Sequence, residues 1–295
     1  MDLTGFLQSL VGGIGTGAIY AMLGLSFTLI FGRLNICSVL HGDLVVLSAY
    51  ICYLLYTYLH IDPFITMLIC MPVFFGIGYL VQSVFMNPFM KLPIWKGRYQ
   101  GQVMVSWGLG MCIMAMEYIL FGGQYKTLNV AYRNATIAVG EIRIPVVHLL
   151  ALGVMLVMVV GLEIILRRTS LGMKIRACSS DRTTAQLTGI NFSKVCAVTF
   201  GISTVFAAVS GMFFTLTNQL GPAYGFELTF FGWVAVIIGS MGNLKGAIVA
   251  GLLMGIIQSL TSYLWIPGLN QAVLYMALLL ILVIRPTGLF GQKEA

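Results

Sequence analysis

Carboxylates inside apolar sequence are the first residues to question, because an ionised side chain at membrane depth costs at least about 2.5 kcal/mol on insertion scales and persists only with a partner or a task. Asp43 follows His41-Gly42 just inside one apolar run, Glu117 lies near the outer end of another, Glu163 sits in the last turn of a third, and Glu227 opens a short one. Such groups are functional candidates by default, and Asp43 or Glu117 cycling between accessible states would couple transport to protons or sodium. Glu163 has a simpler reading, since Arg167 follows four residues later and the two suit a helical ion pair at the cytoplasmic face. Glu117 suits a subunit interface or a pathway, with a bland interfacial position as its alternative.

Bond-breaking chemistry finds no support. No Ser/His/Asp grouping, no His-Glu-x-x-His and no paired carboxylates share a polar segment, and His41, His60 and His148 stand far apart. The phosphate-cradling G-x-x-x-x-G-K-[ST] sequence is nowhere in the chain, so any ATP use is expected in partner subunits, with no catalysis and no cofactor in this one. Cys37, Cys52, Cys70, Cys112, Cys178 and Cys196 lie singly, without C-x-x-C, and read as small hydrophobes rather than metal ligands or disulfides.

Two polar interruptions are more promising. Gly32 to Asp43 places glycine and several hydrogen-bonding side chains between two long apolar runs, with little room for a loop. A helix interrupted there must line a cavity or face protein to satisfy its backbone. Two readings stand: a pathway or gate built from Ser38, His41, Gly42 and Asp43, or a cytoplasmic turn capped by Asp43 at a helix N-terminus. The second interruption, Asn218 to Glu227, contains Gly221, Pro222 and Tyr224 and leads into a short run ending Gly239-Ser240-Met241-Gly242-Asn243. Glycine- and proline-broken elements point to a transporter's midplane site, so Gly221, Tyr224, Glu227 and Gly239 join the candidate pathway. Phe230, Phe231, Trp233 and Val234 suit its apolar lining, or equally core or lipid packing.

The elements that position these residues follow from composition. With 59% apolar and only 8% charged side chains, against roughly a quarter charged in soluble domains, the chain is written for lipid. Apolar runs cover 6–31, 39–59, 64–86, 102–121, 145–166, 195–217, 228–241, 246–264 and 270–284. An ordinary span needs about 20 residues, so 228–241 reads as a broken or half helix. The expected fold is all-α: a polytopic transmembrane bundle of eight or nine segments, forming a single domain over 1–295. Met1 to Thr4 has no basic stretch and no cleavage site follows, so the first run is expected to remain as a membrane helix.

The net charge of +7 does not suggest nucleic acid, because the basic residues fall in two polar loops, 87–101 and 167–194, rather than among base-stacking aromatics. Lys91, Lys96 and Arg98 mark the first; Arg167, Arg168, Lys174, Arg176, Arg182 and Lys194 mark the second. Placing both in the cytoplasm puts Met1 outside and Arg33 inside. Lys245, Arg285 and Lys293 also fall inside if 228–241 crosses fully, leaving only Lys126, Arg133 and Arg143 of sixteen basic residues outside. Within the outer loop, Thr136 to Ile144 reads as a hairpin around Val139-Gly140. Gly13 with Gly17, Gly242 with Gly246 and Gly251 with Gly255 have the small-xxx-small spacing of close helix packing, a glycine-lined pathway or a subunit contact.

Several stretches, in order, resemble LivH-type permeases of branched-chain amino-acid ABC importers. They are Gly17-Ala18-Ile19-Tyr20-Ala21-Met22-Leu23-Gly24 through Gly32, His41-Gly42-Asp43, Arg176-Ala177-Cys178 through Asp181 to Gly189-Ile190-Asn191, Gly239-Ser240-Met241-Gly242-Asn243-Leu244-Lys245-Gly246-Ala247 and Arg285-Pro286-Thr287-Gly288-Leu289-Phe290-Gly291. The resemblance implies a multi-pass protein of the bacterial plasma (inner) membrane that works with a second homologous permease subunit, two cytoplasmic ATPase subunits that bind ATP, and a periplasmic or extracellular solute-binding protein. It further implies that a short helix in the basic loop, with Arg176, Asp181, Ala185, Leu187 and Gly189, docks on the ATPase. Without the family, that loop reads equally well as a solvated or lipid-headgroup surface flanked by Arg176, Arg182 and Lys194. Where the family has Asn-Phe-Ala-His-Gly-Glu, this chain has Ser38-Val39-Leu40-His41-Gly42-Asp43. The lost amide and shortened acid leave urea, short amides and other amino acids open as cargo, and an ion-coupled secondary transporter remains the rival class.

Overall fold

The computed structural model describes residues 3–90, 97–139, 142–265 and 267–291; Lys91, Lys96, Gly140, Glu141 and Lys293, which entered the charge and hairpin readings, lie outside them. In chain order the helices are α1 (Leu3–Leu34), α2 (His41–Leu59), α3 (Pro63–Leu80), α4 (Asn87–Met90), α5 (Arg98–Phe121), α6 (Val146–Arg168), α7 (Ser170–Ser180), α8 (Arg182–Leu187), α9 (Phe192–Thr217), α10 (Tyr224–Gly239), α11 (Leu244–Leu264) and α12 (Asn270–Ile284). A π-helical segment, Val81–Met86, joins α3 to α4, and β1 (Thr136–Val139) pairs antiparallel with β2 (Ile142–Pro145), setting Ile137 opposite Ile144. Each apolar run is thus a helix of a polytopic membrane bundle. Seven are long and apolar enough to cross a membrane, while α10 and α12 are shorter. At 16 residues α10 rises about 24 Å, less than a hydrocarbon core of about 30 Å.

Local chemistry sets several boundaries. Asp62 accepts from the Phe64 N–H (2.9 Å) with Pro63 opening α3. Asn191 caps α9 by accepting from Lys194 N–H, and Asn243 caps α11 by accepting from Lys245 and Gly246 N–H.

One end of the bundle carries the hairpin. Gln8 of α1 both donates to the Arg143 carbonyl (2.5 Å) and accepts from its N–H (2.9 Å). At the same end Lys126 and Leu220 exchange backbone hydrogen bonds of 2.9 and 2.7 Å, stitching the loop after α5 to the turn before α10. In that loop Tyr132 donates to Asp62 (3.4 Å), and its phenol is pushed above the usual range by burial and then by the Asp62 charge.

The core is built on α9, buried over nearly its whole length against α1, α2 and α3. The small-xxx-small glycines serve packing within the chain. A Cβ at Gly17 would lie 2.7 Å from the Leu252 Cα, one at Gly13 would lie 2.8 Å from the Ile256 Cα, and Gly251 and Gly255 face the α1 backbone equally closely. Likewise Gly239 meets Gly246, and Gly242 meets Gly32. In lipid, where apolar side chains gain nothing by leaving one solvent for another, such backbone contact is what holds helices together.

Candidate functional site

The break between α1 and α2 is a buried, non-helical passage rather than a solvent turn. Ser38 and Leu40 are fully buried, and Asp43, the third residue of α2, caps nothing; the residue preceding α2 is Leu40, which makes no side-chain cap. The passage finds its hydrogen bonds on other helices. Cys37 N–H donates to Gln102 Oε1 (3.0 Å) and Val39 N–H to Ser106 Oγ (3.1 Å), both on α5. Thr229 of α10 accepts from Gly42 N–H (3.2 Å) and donates to the Val39 carbonyl (3.0 Å). Backbone that would be unsatisfied in lipid is thus completed by three hydroxyl and amide side chains.

Beyond this passage Asp43 stands between two helix backbones. A side chain at Gly110, midway along the 24-residue α5, would run into Asp43 Oδ2, and one at Gly225, in the first turn of α10, would run into Oδ1. Both glycines are needed to admit the carboxylate, and no protein group among the described residues donates a hydrogen bond to it or pairs with it. It opens instead into a cavity of ≈ 230 Å³ lined by Val39, Trp107, Gly110, Met111, Met114, Phe226 and Thr229. Trp107 and Phe226 meet edge-on, 5.5 Å apart, at its rim. A lone anion on the floor of an apolar pocket suits a ligand with one cationic end and a hydrocarbon body.

Near Asp43, Glu117 is 1% exposed and neither of its oxygens has a hydrogen-bond partner; Tyr50, whose hydroxyl is also unpartnered, stacks on Phe121 at 4.2 Å. The sequence reading had not joined Gln102, Ser106, Gly110 and Glu117 into one feature. They are one face of α5, recurring at four-residue steps and then seven, and with Arg98 they are its buried residues. That periodicity was the available signal.

Other expected site residues have different tasks. His41 is fully buried, wedged between the rings of Phe27 and Phe200 and 2.9 Å from Ser203 Oγ. The Ser203 hydroxyl also lies 2.7 Å from the Phe200 carbonyl, to which it can donate. His41 is thus wedged in the core, and Ser38 accepts locally from Leu40 N–H. Gly42 lets α2 approach α10 closely, Gly239 belongs to the α10–α11 crossing, and Gly221 lies under Tyr125. Tyr224 and Glu227 line a separate cavity toward the hairpin end. Of the apolar residues expected to line a pathway, Phe231 and Val234 are buried, Trp233 packs on Phe27 and Phe31, and Phe230 is exposed beside Phe226.

In the basic segment Asp181 caps α8, and its carboxyl is held below the usual range by the Thr184 hydroxyl and the Thr183 N–H. Ala185, expected on a docking face, points inward at 3% exposure and packs in the cluster of Ile175, Cys178 and Phe192, because only a small side chain fits beneath so short a helix. Arg176 donates to the Leu166 carbonyl and ties α7 to α6. Leu187 projects outward at 84% exposure, and Gly189 takes a left-handed turn (φ 83°) in open space. Glu163 and Arg167 form the helical ion pair at 2.8 Å.

The comparisons bear on this geometry. A family model for the permease component of branched-chain amino acid transport systems matches residues 9–283. The high-affinity branched-chain amino acid transport system permease protein LivH of Escherichia coli is 25% identical over 305 residues, covering 98% of this chain and 96% of LivH. BraD of Pseudomonas aeruginosa, of the same description, is 25% identical over 299 residues, with 98% and 97% covered. A probable LivH of Methanocaldococcus jannaschii is 22% identical over 265 residues, with 86% and 80% covered. No solved structure matches.

Proposed function

The chain belongs to the family of branched-chain amino acid transport permease components, and from that premise we propose that it forms the translocation pathway of an ATP-binding-cassette importer for branched-chain or other hydrophobic amino acids. The observation that carries the substrate reading is Asp43, an unpaired carboxylate between the Gly110 and Gly225 backbones on the floor of an apolar cavity. The ammonium of an amino acid meets Asp43, and an aliphatic side chain lies against Met111, Met114 and Phe226. The face of α2, α5 and α10 that opens this cavity is turned to a second, homologous permease subunit, so that two such cavities border one path.

Chemical energy enters elsewhere. Two cytoplasmic ATPase subunits bind and hydrolyse ATP, an external solute-binding protein delivers cargo, and the permease itself, one domain over its length, takes no cofactor. The α7–α8 segment supports the coupling role through Leu187, whose apolar side chain stands in water unless a partner covers it. The test is leucine uptake into proteoliposomes holding this chain with its partner subunits, with and without internal ATP and binding protein. Uptake that needs both is expected. Uptake driven by an ion gradient without ATP would overturn the importer reading and turn attention to Asp43 and Glu117 as ion-coupling groups.

A further inference from the structure

The first half of helix α10 walls two cavities. Phe226 and Thr229 face the Asp43 cavity, whereas Tyr224, Glu227, Leu228 and Phe231 face a chamber of ≈ 480 Å³ on the other side of the helix. An adjoining recess of ≈ 300 Å³ shares Tyr20, Phe214, Asn218 and Gln258 with it. The chamber lies within the roughly 300–1,000 Å³ range of small-molecule sites. Arg133, from the outer loop, also lines it, held by donation from Nη1 to the Leu128 carbonyl (2.8 Å). Its polar wall is built, since the Tyr20 hydroxyl donates to Gln258 Oε1 at 2.6 Å.

The charges are what demand explanation. Arg133 and Glu227 line one cavity without pairing, and Glu163–Arg167 is the one ion pair among the described residues. No protein group among the described residues donates a hydrogen bond to Glu227. In the recess, His148 Nδ1 and Asn270 Oδ1 are buried and without hydrogen-bond partners. Two opposite charges that line one cavity without meeting leave room between them for a group that carries both. A simple anion would face Glu227, and a simple cation would face Arg133. A ligand carrying both charges meets both needs at once.

We infer that this chamber binds a free α-amino acid, with Arg133 receiving the α-carboxylate, Glu227 the α-ammonium, and Leu228 and Phe231 the side chain. The inference rests on the amino-acid permease reading and adds to it a recognition site inside a single subunit, distinct from the Asp43 cavity and open to amino acid without the binding protein. Arg suits the carboxylate because its planar fork presents parallel donors, and four of its five N–H groups, including the Nε and Nη2 pair, remain available beyond the bond from Nη1 to Leu128.

The test uses the full chain in lipid nanodiscs, without binding protein, and radiolabelled leucine. The competitors are leucine methyl ester, which lacks the carboxylate charge, and 4-methyl-2-oxopentanoate, which lacks the ammonium. Saturable leucine binding is expected, with each analogue competing at least about tenfold more weakly, as loss of one charge-assisted contact implies. Arg133→Gln should erase the preference for leucine over the ester and leave that over the oxo acid; Glu227→Gln should do the reverse. Thermal melting of each variant in the same nanodiscs separates lost binding from lost fold. Absence of saturable binding, or analogue preferences unmoved by either variant, overturns the chamber. ATP- and binding-protein-dependent uptake by the complete complex is measured alongside. Uptake without chamber binding removes this inference and leaves the importer reading standing, whereas chamber binding without such uptake removes the importer and leaves the chamber.

Discussion

The α1–α11 seam and the α5 seam are both helix contacts in lipid, yet they are made from opposite materials. Between α1 and α11, Gly13, Gly17, Gly251 and Gly255 bring backbone against backbone with no space for a side chain. Along α5, the buried residues are Arg98, Gln102, Ser106, Gly110 and Glu117, while Met104 (74% exposed) and Ile119 face outward. The first seam is closed by backbone contact at its glycines and tied by side-chain hydrogen bonds from Tyr20 to Gln258 and from Ser259 to the Ser9 carbonyl. The second holds the broken α1–α2 passage by single hydrogen bonds, abuts a cavity and keeps two carboxylates without partners. Close-packed glycine fixes geometry, whereas polar contacts can be exchanged for contacts with cargo. The α1–α11 pair is therefore the frame, and α5 is the wall that we propose borders the substrate path.

Breaking the frame should have the largest effect. Gly255→Leu drives a branched side chain into the Gly13 and Gly17 backbone, a strain beyond the roughly 1–3 kcal/mol of ordinary overpacking, and should abolish monodisperse protein on gel filtration. On the α5 side the same measurement should barely change for Asp43→Asn, which keeps shape and removes charge. Uptake by that variant should fall about 10- to 100-fold, as expected for one charge-assisted hydrogen bond of about 1.5–3 kcal/mol. If Asp43→Asn unfolded the protein and left residual uptake normal, frame and wall would have been misassigned. Ser106→Ala leaves the Val39 N–H buried without an acceptor, at a cost of about 1–3 kcal/mol, and should lower the melting temperature while α1–α11 contacts persist. The smallest effect belongs to Glu163→Gln. Its ion pair with Arg167 is largely exposed, so stability should change by less than about 0.5 kcal/mol and uptake hardly at all.

Much of the frame was legible in the chain itself. Runs of apolar residues recovered each long helix because lipid demands continuous hydrocarbon, and the shortness of 228–241 announced α10 as a short element, which is a continuous helix of 16 residues rather than a broken one. The Thr136–Ile144 hairpin and the Glu163–Arg167 pair are local patterns and were read as such. The candidate site was legible only in part. Asp43 and Glu227 stood out because an acid among hydrocarbons is conspicuous, but His41, equally conspicuous, turned out to be a core wedge, since its partner Ser203 lies 162 residues away. Thr229 and Ser106, which complete the passage, are ordinary hydroxyls in apolar runs, and nothing near them in sequence marks the backbone they satisfy. Ala185 was misplaced for a related reason: on a helix of six residues, which side faces the bundle is decided by α7 and α9, not by its own pattern.

The claim that the α5 wall borders the substrate path is tested most directly by thiol accessibility. In the assembled complex, with the other five native cysteines replaced, Met111→Cys and Met114→Cys place probes in the Asp43 cavity, and the native Cys112, exposed and not among the residues lining that cavity, serves as the outward probe. A charged, membrane-impermeant thiosulfonate should label positions 111 and 114, leucine delivered by the binding protein should slow that labelling, and Cys112 should stay unlabelled because it faces lipid. Inert probes at 111 and 114, or labelling there that leucine leaves unchanged, would contradict the account.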